Sequence, residues 1–138
     1  MSLFNVFDIA GSAMSAESVR LNVTSSNLAN AQSVGSSEAT TYHARHPVFS
    51  AVMQSSLQGD SHSIGVRVDG IVESQAPLEK QYQPQHPMAN DEGYVFLPNV
   101  NMVDEMANMI SASRAYQGNV EVLNTSKQMM LATLRMGQ

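Results

Sequence analysis

Residues 102–134 have the sequence MVDEMANMISASRAYQGNVEVLNTSKQMMLATL, in which mostly apolar side chains recur every seven positions. This spacing is typical of a helix that keeps one stripe against a partner helix. Asn101 can cap the first turn, where Asp104 and Glu105 complement the helix dipole. We therefore predict a C-terminal helix about 50 Å long. Its two series are Met102, Met109, Tyr116, Leu123 and Met130, and Met106, Ser113, Val120, Lys127 and Leu134.

Residues 3–31 carry the same repeat and predict an N-terminal helix about 40 Å long. Its series are Leu3, Ala10, Glu17, Thr24 and Ala31, and Phe7, Met14, Leu21 and Leu28. We expect the two helices to pair as a coiled-coil-like α-domain. The predicted intramolecular seam consists of Leu3, Phe7, Met14, Leu21, Leu28, Met102, Met106, Met109, Tyr116, Val120, Leu123, Met130 and Leu134.

The middle of the chain, residues 35–98, differs from both ends and holds all 5 prolines and all 4 histidines. Alternating Ile64, Val66 and Val68 predict a half-buried strand, which Gly70 interrupts as a bulge. Further strands are predicted at 42–49 and 94–97, a mobile link at 33–40 and a loop at 54–63. The predicted class is therefore α+β, divided into an N-terminal helix (1–34), a β-rich insertion (35–98) and a C-terminal helix (99–138).

Composition excludes several classes of function. The chain has 7 Lys and Arg against 12 Asp and Glu, a net charge of -5, so it lacks the basic face that nucleic acid or an anionic membrane surface requires. The absence of cysteine excludes disulfides, thiolate metal sites and a Cys nucleophile. No apolar run is long enough for a membrane-spanning helix, and residues 1–10 lack the basic residue of a cleavable signal.

Both predicted helices also carry apolar or small residues outside the seam. Because a chain of this length supplies few other elements to cover them, we expect neighbouring chains to do so. The candidate contacts between subunits are Val6, Ile9, Ala13, Ala16, Val23, Asn27, Asn30, Ala115, Gly118, Val122, Met129, Ala132 and Met136. Asn27 and Asn30 could instead form hydrogen bonds at the end of their own helix.

Two seam positions hold charges. Glu17 and Lys127 could face each other in an antiparallel pair and fix its register, or each could extend to solvent.

Three segments resemble the bacterial flagellar rod and hook protein family. Ser25-Ser26-Asn27-Leu28-Ala29-Asn30-Ala31 resembles the amino-terminal signature of that family, and the segment 42–49 is similar to the one that follows it in the proximal-rod members. A third block narrows the resemblance to one proximal-rod member. It comprises residues 86–101 and continues with Glu105-Met106, Arg114-Ala115-Tyr116-Gln117 and Asn119. Met88 departs from it, since aspartate is more usual there.

The resemblance implies a structural subunit of the proximal rod, assembled through its terminal helices into a hollow helical drive shaft that transmits torque. It also implies type III export without signal cleavage and a periplasmic location, whereas the amino terminus alone, which lacks a cleavable signal, would indicate a cytoplasmic protein. The implied partners are other copies of the chain, other rod proteins, proteins at the junction with the MS ring and, during secretion, the export apparatus, with neither nucleic acid nor direct membrane insertion.

Other functions have little support in the sequence. His43 and His46 are three residues apart, but Pro47 spoils the helical geometry that a shared metal would need, and His62 and His86 add no ligand spacing. Asp91 and Glu92 fit turn chemistry better than an acid–base pair. We therefore expect no enzyme activity, no metal and no cofactor. A sister rod subunit and a soluble coiled-coil adaptor or chaperone remain the alternatives.

Overall fold

The structure, a computed structural model, describes residues 3–54 and 63–136. Along the chain it contains α1 (Leu3–Asn30), β1 (Arg45–Gln54), β2 (Ser63–Glu73), β3 (Glu79–Tyr82), β4 (Tyr94–Leu97) and α2 (Met102–Met136). Long terminal helices thus enclose two small antiparallel sheets, and the predicted α+β class is confirmed. Most of the predicted loop at 54–63, including His62, lies outside the described residues.

The two helices run antiparallel. Asn27 Nδ2 lies 3.0 Å from Glu105 Oε2, and Arg20 Nη2 lies 3.3 Å from Asn108 Oδ1. Lower residue numbers on α1 therefore face higher residue numbers on α2. The predicted cap is confirmed, because Asn101 Oδ1 accepts a hydrogen bond from Val103 N at 3.0 Å. Since α2 has 35 residues and α1 has 28, this register leaves the last turns of α2 projecting about 10–15 Å beyond α1.

Strands β1 and β2 form a ribbon that pairs from Arg45↔Glu73 to Gln54↔Ser63. The bulge predicted at Gly70 is found there: Val48 pairs with Gly70 while Phe49 pairs with Val68, so β2 has one extra residue. The ribbon begins beside Asn27, whose side chain bonds to the Arg45 backbone. Further along, Val66 N donates a 3.1 Å hydrogen bond to Ser12 Oγ, so the ribbon follows α1 towards its N-terminus.

This arrangement makes α1 the middle layer of the molecule. Among the described elements, α1 packs on α2 and on both strands of the ribbon, whereas α2 packs on α1 alone. Small side chains dominate the buried positions of the helices: Ala10, Ala16 and Ala112 are at most 5% exposed. Small side chains allow the backbones to approach closely, so the seam between α1 and α2 is narrow.

The second sheet anchors the segment between α1 and β1. Strand β4 has the predicted bounds, and its partner β3 was not predicted. Gly35 and Phe96 exchange two backbone hydrogen bonds of 3.0 Å, and a Cβ on Gly35 would collide with Thr41 Oγ1. The prediction of a mobile link at 33–40 is therefore corrected at Gly35, which backbone pairing holds against β4, and Ser37 forms hydrogen bonds with Thr40 and Thr41 in the turn that follows.

Candidate assembly surface

The apolar face that the sequence assigned to contacts between subunits on α1 is largely used within the chain. Ala16 and Val23 are 5% and 6% exposed, and α1 packs on both the ribbon and α2. Val6, Ile9 and Ala13 are half-buried. The assumption that the chain has too few elements to cover α1 therefore fails at Ala16 and Val23. Ala16 and Val23 have almost no surface left for a second chain.

Asn27 is the centre of a buried polar junction and is 0% exposed. Its Nδ2 donates to Arg45 O at 2.8 Å and to Glu105 Oε2 at 3.0 Å. Its Oδ1 accepts from Tyr42 Oη at 2.8 Å and from Arg45 N at 2.9 Å. One amide thus joins α1, the start of the ribbon and the start of α2. Asn27 is therefore removed from the candidate contacts between subunits.

Asn30, the other asparagine of the signature, has a simpler role. Its Nδ2 donates to Ser26 O at 2.8 Å, the backbone carbonyl four residues earlier, and the side chain is half-buried. This is the helix-end hydrogen bond that was one of the two interpretations of Asn30. The bond leaves part of the side chain accessible to a neighbouring subunit.

The buried stripe of α2 is displaced by one residue from one of the predicted series. Glu105, Ala112 and Ser126 are the buried residues of α2, and they share a seven-residue spacing with half-buried Asn119. The sequence pointed instead to Met106, Ser113, Val120, Lys127 and Leu134. Met106 is 51% exposed and Leu134 is 68% exposed, so their assignment to the seam is corrected. The small or polar residues that recur every seven positions would have indicated the buried stripe. They were overlooked because the prediction of the seam relied on large apolar residues.

Most other predicted seam residues flank the buried stripe. Met102 and Tyr116 are partly exposed, at 37% and 38%, and their assignment is corrected to the edge of the seam. The side chain of Leu3 lies outside the described part of the structure. The half-buried members are Phe7, Met14, Leu21, Leu28, Met109, Val120, Leu123 and Met130.

The outer face of α2 carries the accessible apolar surface among the predicted contacts. Val122 is 45% exposed, Met129 55% and Met136 80%. Gly118 and Ala132 are also exposed, and Ala115 is half-buried. A Cβ on Gly118 would meet nothing within 4 Å, so no close approach inside the chain explains this glycine. An apolar stripe of this extent on a single helix is typical of an interaction surface.

The charged seam residues do not face each other. Glu17 Oε2 lies 3.7 Å from Arg20 Nη1 on its own helix. The register set by Asn27 and Glu105 places Lys127 near the first turn of α1, about three turns from Glu17. Lys127 is exposed, as the solvent-facing alternative required.

The remaining candidate groups do not converge. His43 Nδ1 lies 3.0 Å from Thr41 O, and His86 Nδ1 accepts from Met88 N at 3.1 Å. Within residues 3–54 and 63–136, no three His, Asp or Glu side chains are grouped as metal ligands would be. Over the same residues, neither helix combines the length and hydropathy needed to cross a bilayer. The feature that the described residues do offer is the accessible apolar stripe of α2, an interaction surface.

Comparison with known proteins gives consistent matches. A family described as "Flagella basal body rod protein" matches residues 7–35, and one described as "Flagellar basal body rod FlgEFG protein C-terminal" matches residues 91–136. The chain is 52% identical over 138 residues to the flagellar basal-body rod protein FlgC of Escherichia coli and to that of Yersinia enterocolitica, and 51% identical to that of Salmonella typhimurium. Each match covers 100% of both chains.

Proposed function

The chain belongs to the FlgC family of flagellar basal-body rod proteins, and from that premise we propose how its helices and ribbon serve the rod. It is a structural subunit of the proximal rod and assembles with other rod components. The observation that carries this conclusion is 52% identity over the full length of the E. coli protein. A match of this length to FlgC also decides against a sister rod subunit and against an unrelated adaptor.

We propose that α2 supplies the principal surface between subunits. The difference in packing between the two helices supports this proposal. The ribbon and α2 both pack on α1, whereas, among the described elements, α2 packs on α1 alone. The proposed contact residues are Ala115, Gly118, Val122, Met129, Ala132 and Met136, together with Asn30 and the half-buried Val6, Ile9 and Ala13. Burial of aliphatic surface at about 25 cal/mol per Å² would drive the association.

We also propose that the subunit transmits torque as a passive element and catalyses no reaction. The buried junction at Asn27 supports this role, because it joins both helices and the ribbon and resists their relative rotation. We propose the same division of the chain at residues 34 and 98 into three parts. The two terminal helices assemble with neighbouring subunits, and the middle segment sets the spacing between the helices.

A place in the rod also requires a route of export and a site of assembly. We propose that the chain leaves the cytoplasm through the type III export apparatus, keeps its amino terminus, and assembles in the periplasm next to proteins at the MS-ring junction. The partly open packing of α2 supports this route, because a helix with few tertiary contacts unfolds at low cost.

Isolation of basal bodies tests the proposed function. In cells whose only copy of the chain carries an affinity tag in the segment 55–62, the tag should co-purify with intact rods and be located in the shaft by electron microscopy. Cells without the chain should make no complete rod. Recovery of the tag only outside purified basal bodies would refute the proposal.

A further inference from the structure

A small cavity lies where α1, the start of the ribbon and the start of α2 meet. Its volume is about 240 Å³, and among the residues that line it are Arg20 of α1, Arg45 and His46 of β1, and Glu105 and Asn108 of α2. Pockets for drug-sized ligands measure about 300–1,000 Å³, so this cavity suits a single long side chain better than a free small molecule. None of the contact residues proposed above lines it.

Glu105 is the charge in this cavity that lacks a counter-charge within the described part of the chain. Arg20 Nη1 lies 3.7 Å from Glu17 Oε2, and Arg45 Nη2 lies 3.0 Å from Glu73 Oε1, so each arginine is balanced by a carboxylate of its own. The ion pairs found among residues 3–54 and 63–136 do not include Glu105. With the histidine counted as neutral, the lining and the partners of its arginines together carry one net negative charge.

The carboxylate of Glu105 is bonded on one side and open on the other. The residue is 5% exposed, and Oε2 accepts a 3.0 Å hydrogen bond from the uncharged amide of Asn27. Within the described residues, Oε1 accepts no hydrogen bond and is not one of the buried polar atoms that lack a partner, so it is the oxygen accessible from the cavity. Holding a carboxylate this far out of water is costly unless a cation pairs with it. The cavity therefore has the size and the charge of a site for one cationic group.

We propose that a lysine or arginine side chain of a different rod protein enters this cavity and pairs with Glu105. This inference rests on the proposed function, since it names the chemistry by which the subunit binds a neighbour. The chain has 12 Asp and Glu against 7 Lys and Arg, so copies of it repel one another and a partner with spare cations is favoured. A metal ion fits less well, because it needs several ligands and no three His, Asp or Glu side chains of the described residues are grouped to supply them.

The entering side chain would contact all three elements that the buried polar junction joins. Arg20 belongs to α1, Arg45 to the ribbon and Glu105 to α2. A partner that binds only the folded arrangement stabilises it. One cation would therefore stiffen the arrangement of the helices and the ribbon at the moment of assembly.

Photo-cross-linking in assembled rods identifies what enters the cavity. Exposed His46, at the rim, is replaced by p-benzoylphenylalanine in cells whose only copy of the chain carries this change. Basal bodies are isolated and irradiated, and mass spectrometry identifies the captured peptide. We expect a peptide of a different rod protein with Lys or Arg next to the cross-linked residue. The matched control carries the photo-reactive group at Tyr82, which is 62% exposed and outside the cavity, and should not capture that peptide.

Neutralisation of Glu105 tests the ion pair itself. Glu105→Gln keeps the shape of the side chain and an oxygen for Asn27 Nδ2, and it removes the charge. We expect the yield of the captured peptide to fall about tenfold, because the coupling of close charge pairs at interfaces corresponds to at least a factor of that size. Neutralising the captured cation of the partner in the same cells should cause no further fall. Urea unfolding of the purified variant measures whether the junction is intact.

A second variant blocks the cavity without changing the carboxylate. Asn108 lies three residues after Glu105 on α2, so Asn108→Lys brings an ammonium group of the same chain beside that carboxylate. We expect the captured yield to fall as far as it does in Glu105→Gln. The matched control is the uncharged Asn108→Gln, which should keep the yield. Both replacements lengthen the side chain at one position, so the comparison isolates the charge.

The outcomes separate this inference from the proposed function. An unchanged yield in Glu105→Gln or in Asn108→Lys would overturn the inference and leave the proposed function intact. Capture of a second copy of this chain alone, of a peptide without a nearby Lys or Arg, or of nothing in basal bodies that contain the photo-reactive chain would have the same meaning. Absence of even the unsubstituted chain from basal bodies would refute the proposed function instead.

Discussion

Replacement of Asn27 by aspartate tests whether the buried polar junction holds the two helices and the ribbon together. The substitution keeps the shape and both bonds accepted by Oδ1, from Tyr42 Oη and Arg45 N. It removes both bonds donated by Nδ2, to Arg45 O and Glu105 Oε2, and brings a second carboxylate against Glu105. The other contacts of the site are preserved, so the change acts on the two donated hydrogen bonds and on the charge beside Glu105.

The expected loss of stability follows from those two bonds. A hydrogen bond to a neutral carbonyl contributes about 1 kcal/mol, and one to a carboxylate contributes about 1.5–3 kcal/mol. Glu105 is 5% exposed, so its carboxylate cannot recover the lost partner from bulk water. We therefore expect the free energy of unfolding to fall by about 2.5–4 kcal/mol, a large part of the total stability of a domain of this size.

Urea unfolding followed by circular dichroism measures this change in the purified chain. Asn30→Asp is the matched control, because Asn30 donates one hydrogen bond at the end of the same helix and should lose only about 1 kcal/mol. Hydrogen exchange of the Arg45 amide, which donates to Asn27 Oδ1, reports on the junction itself. Equal losses in the two variants, with unchanged exchange at Arg45, would refute the central role of Asn27.

Further substitutions test the seam and the exposed helix. Ala112→Leu should destabilise the chain by about 1–3 kcal/mol in thermal unfolding, because Ala112 is 0% exposed, whereas Met106→Ala should cost less than about 1 kcal/mol; the reverse order would contradict the buried stripe. Gly118→Ala should stabilise the isolated chain by up to about 1 kcal/mol, and a simultaneous loss of rod assembly would identify Gly118 as a contact between subunits. Gly93→Ala should cost about 1–2 kcal/mol in urea unfolding, because φ is 83° and Tyr82 Cε2 lies 2.9 Å from the added Cβ; no change would contradict the strain. Trypsin should cut after exposed Lys127 and Arg135 before half-buried Arg20, and mass spectrometry showing the opposite order would contradict the difference in packing between α1 and α2.

The seven-residue spacing predicted the two helices because it depends only on local geometry. Asn101 was identified as a cap for the same reason, since its side chain bonds within one turn. The bounds of β4 and the bulge beside Gly70 likewise follow from short patterns. Features of this kind require no knowledge of which distant segment packs on which.

The face of each helix that is buried depends on distant segments, and there the sequence was a poorer guide. An apolar stripe on α1 has the same appearance whether a neighbouring subunit or the ribbon covers it. Glu105 resembled an ordinary acidic residue of a first turn until its partner Asn27, 78 positions away, was in place. The junction could not be predicted because its members share no local pattern.

The single-sided packing of α2 has a mechanical consequence. The Asn27–Glu105 junction fixes the start of α2, but the C-terminal turns of α2 pack on no described element other than α1, whereas α1 packs on both α2 and the ribbon. Small bending adjustments of these C-terminal turns would let identical subunits meet neighbours set at slightly different angles while the rest of each subunit stays rigid. The C-terminal helix would thus adapt to different neighbours, and the N-terminal helix would keep the shape of the subunit constant.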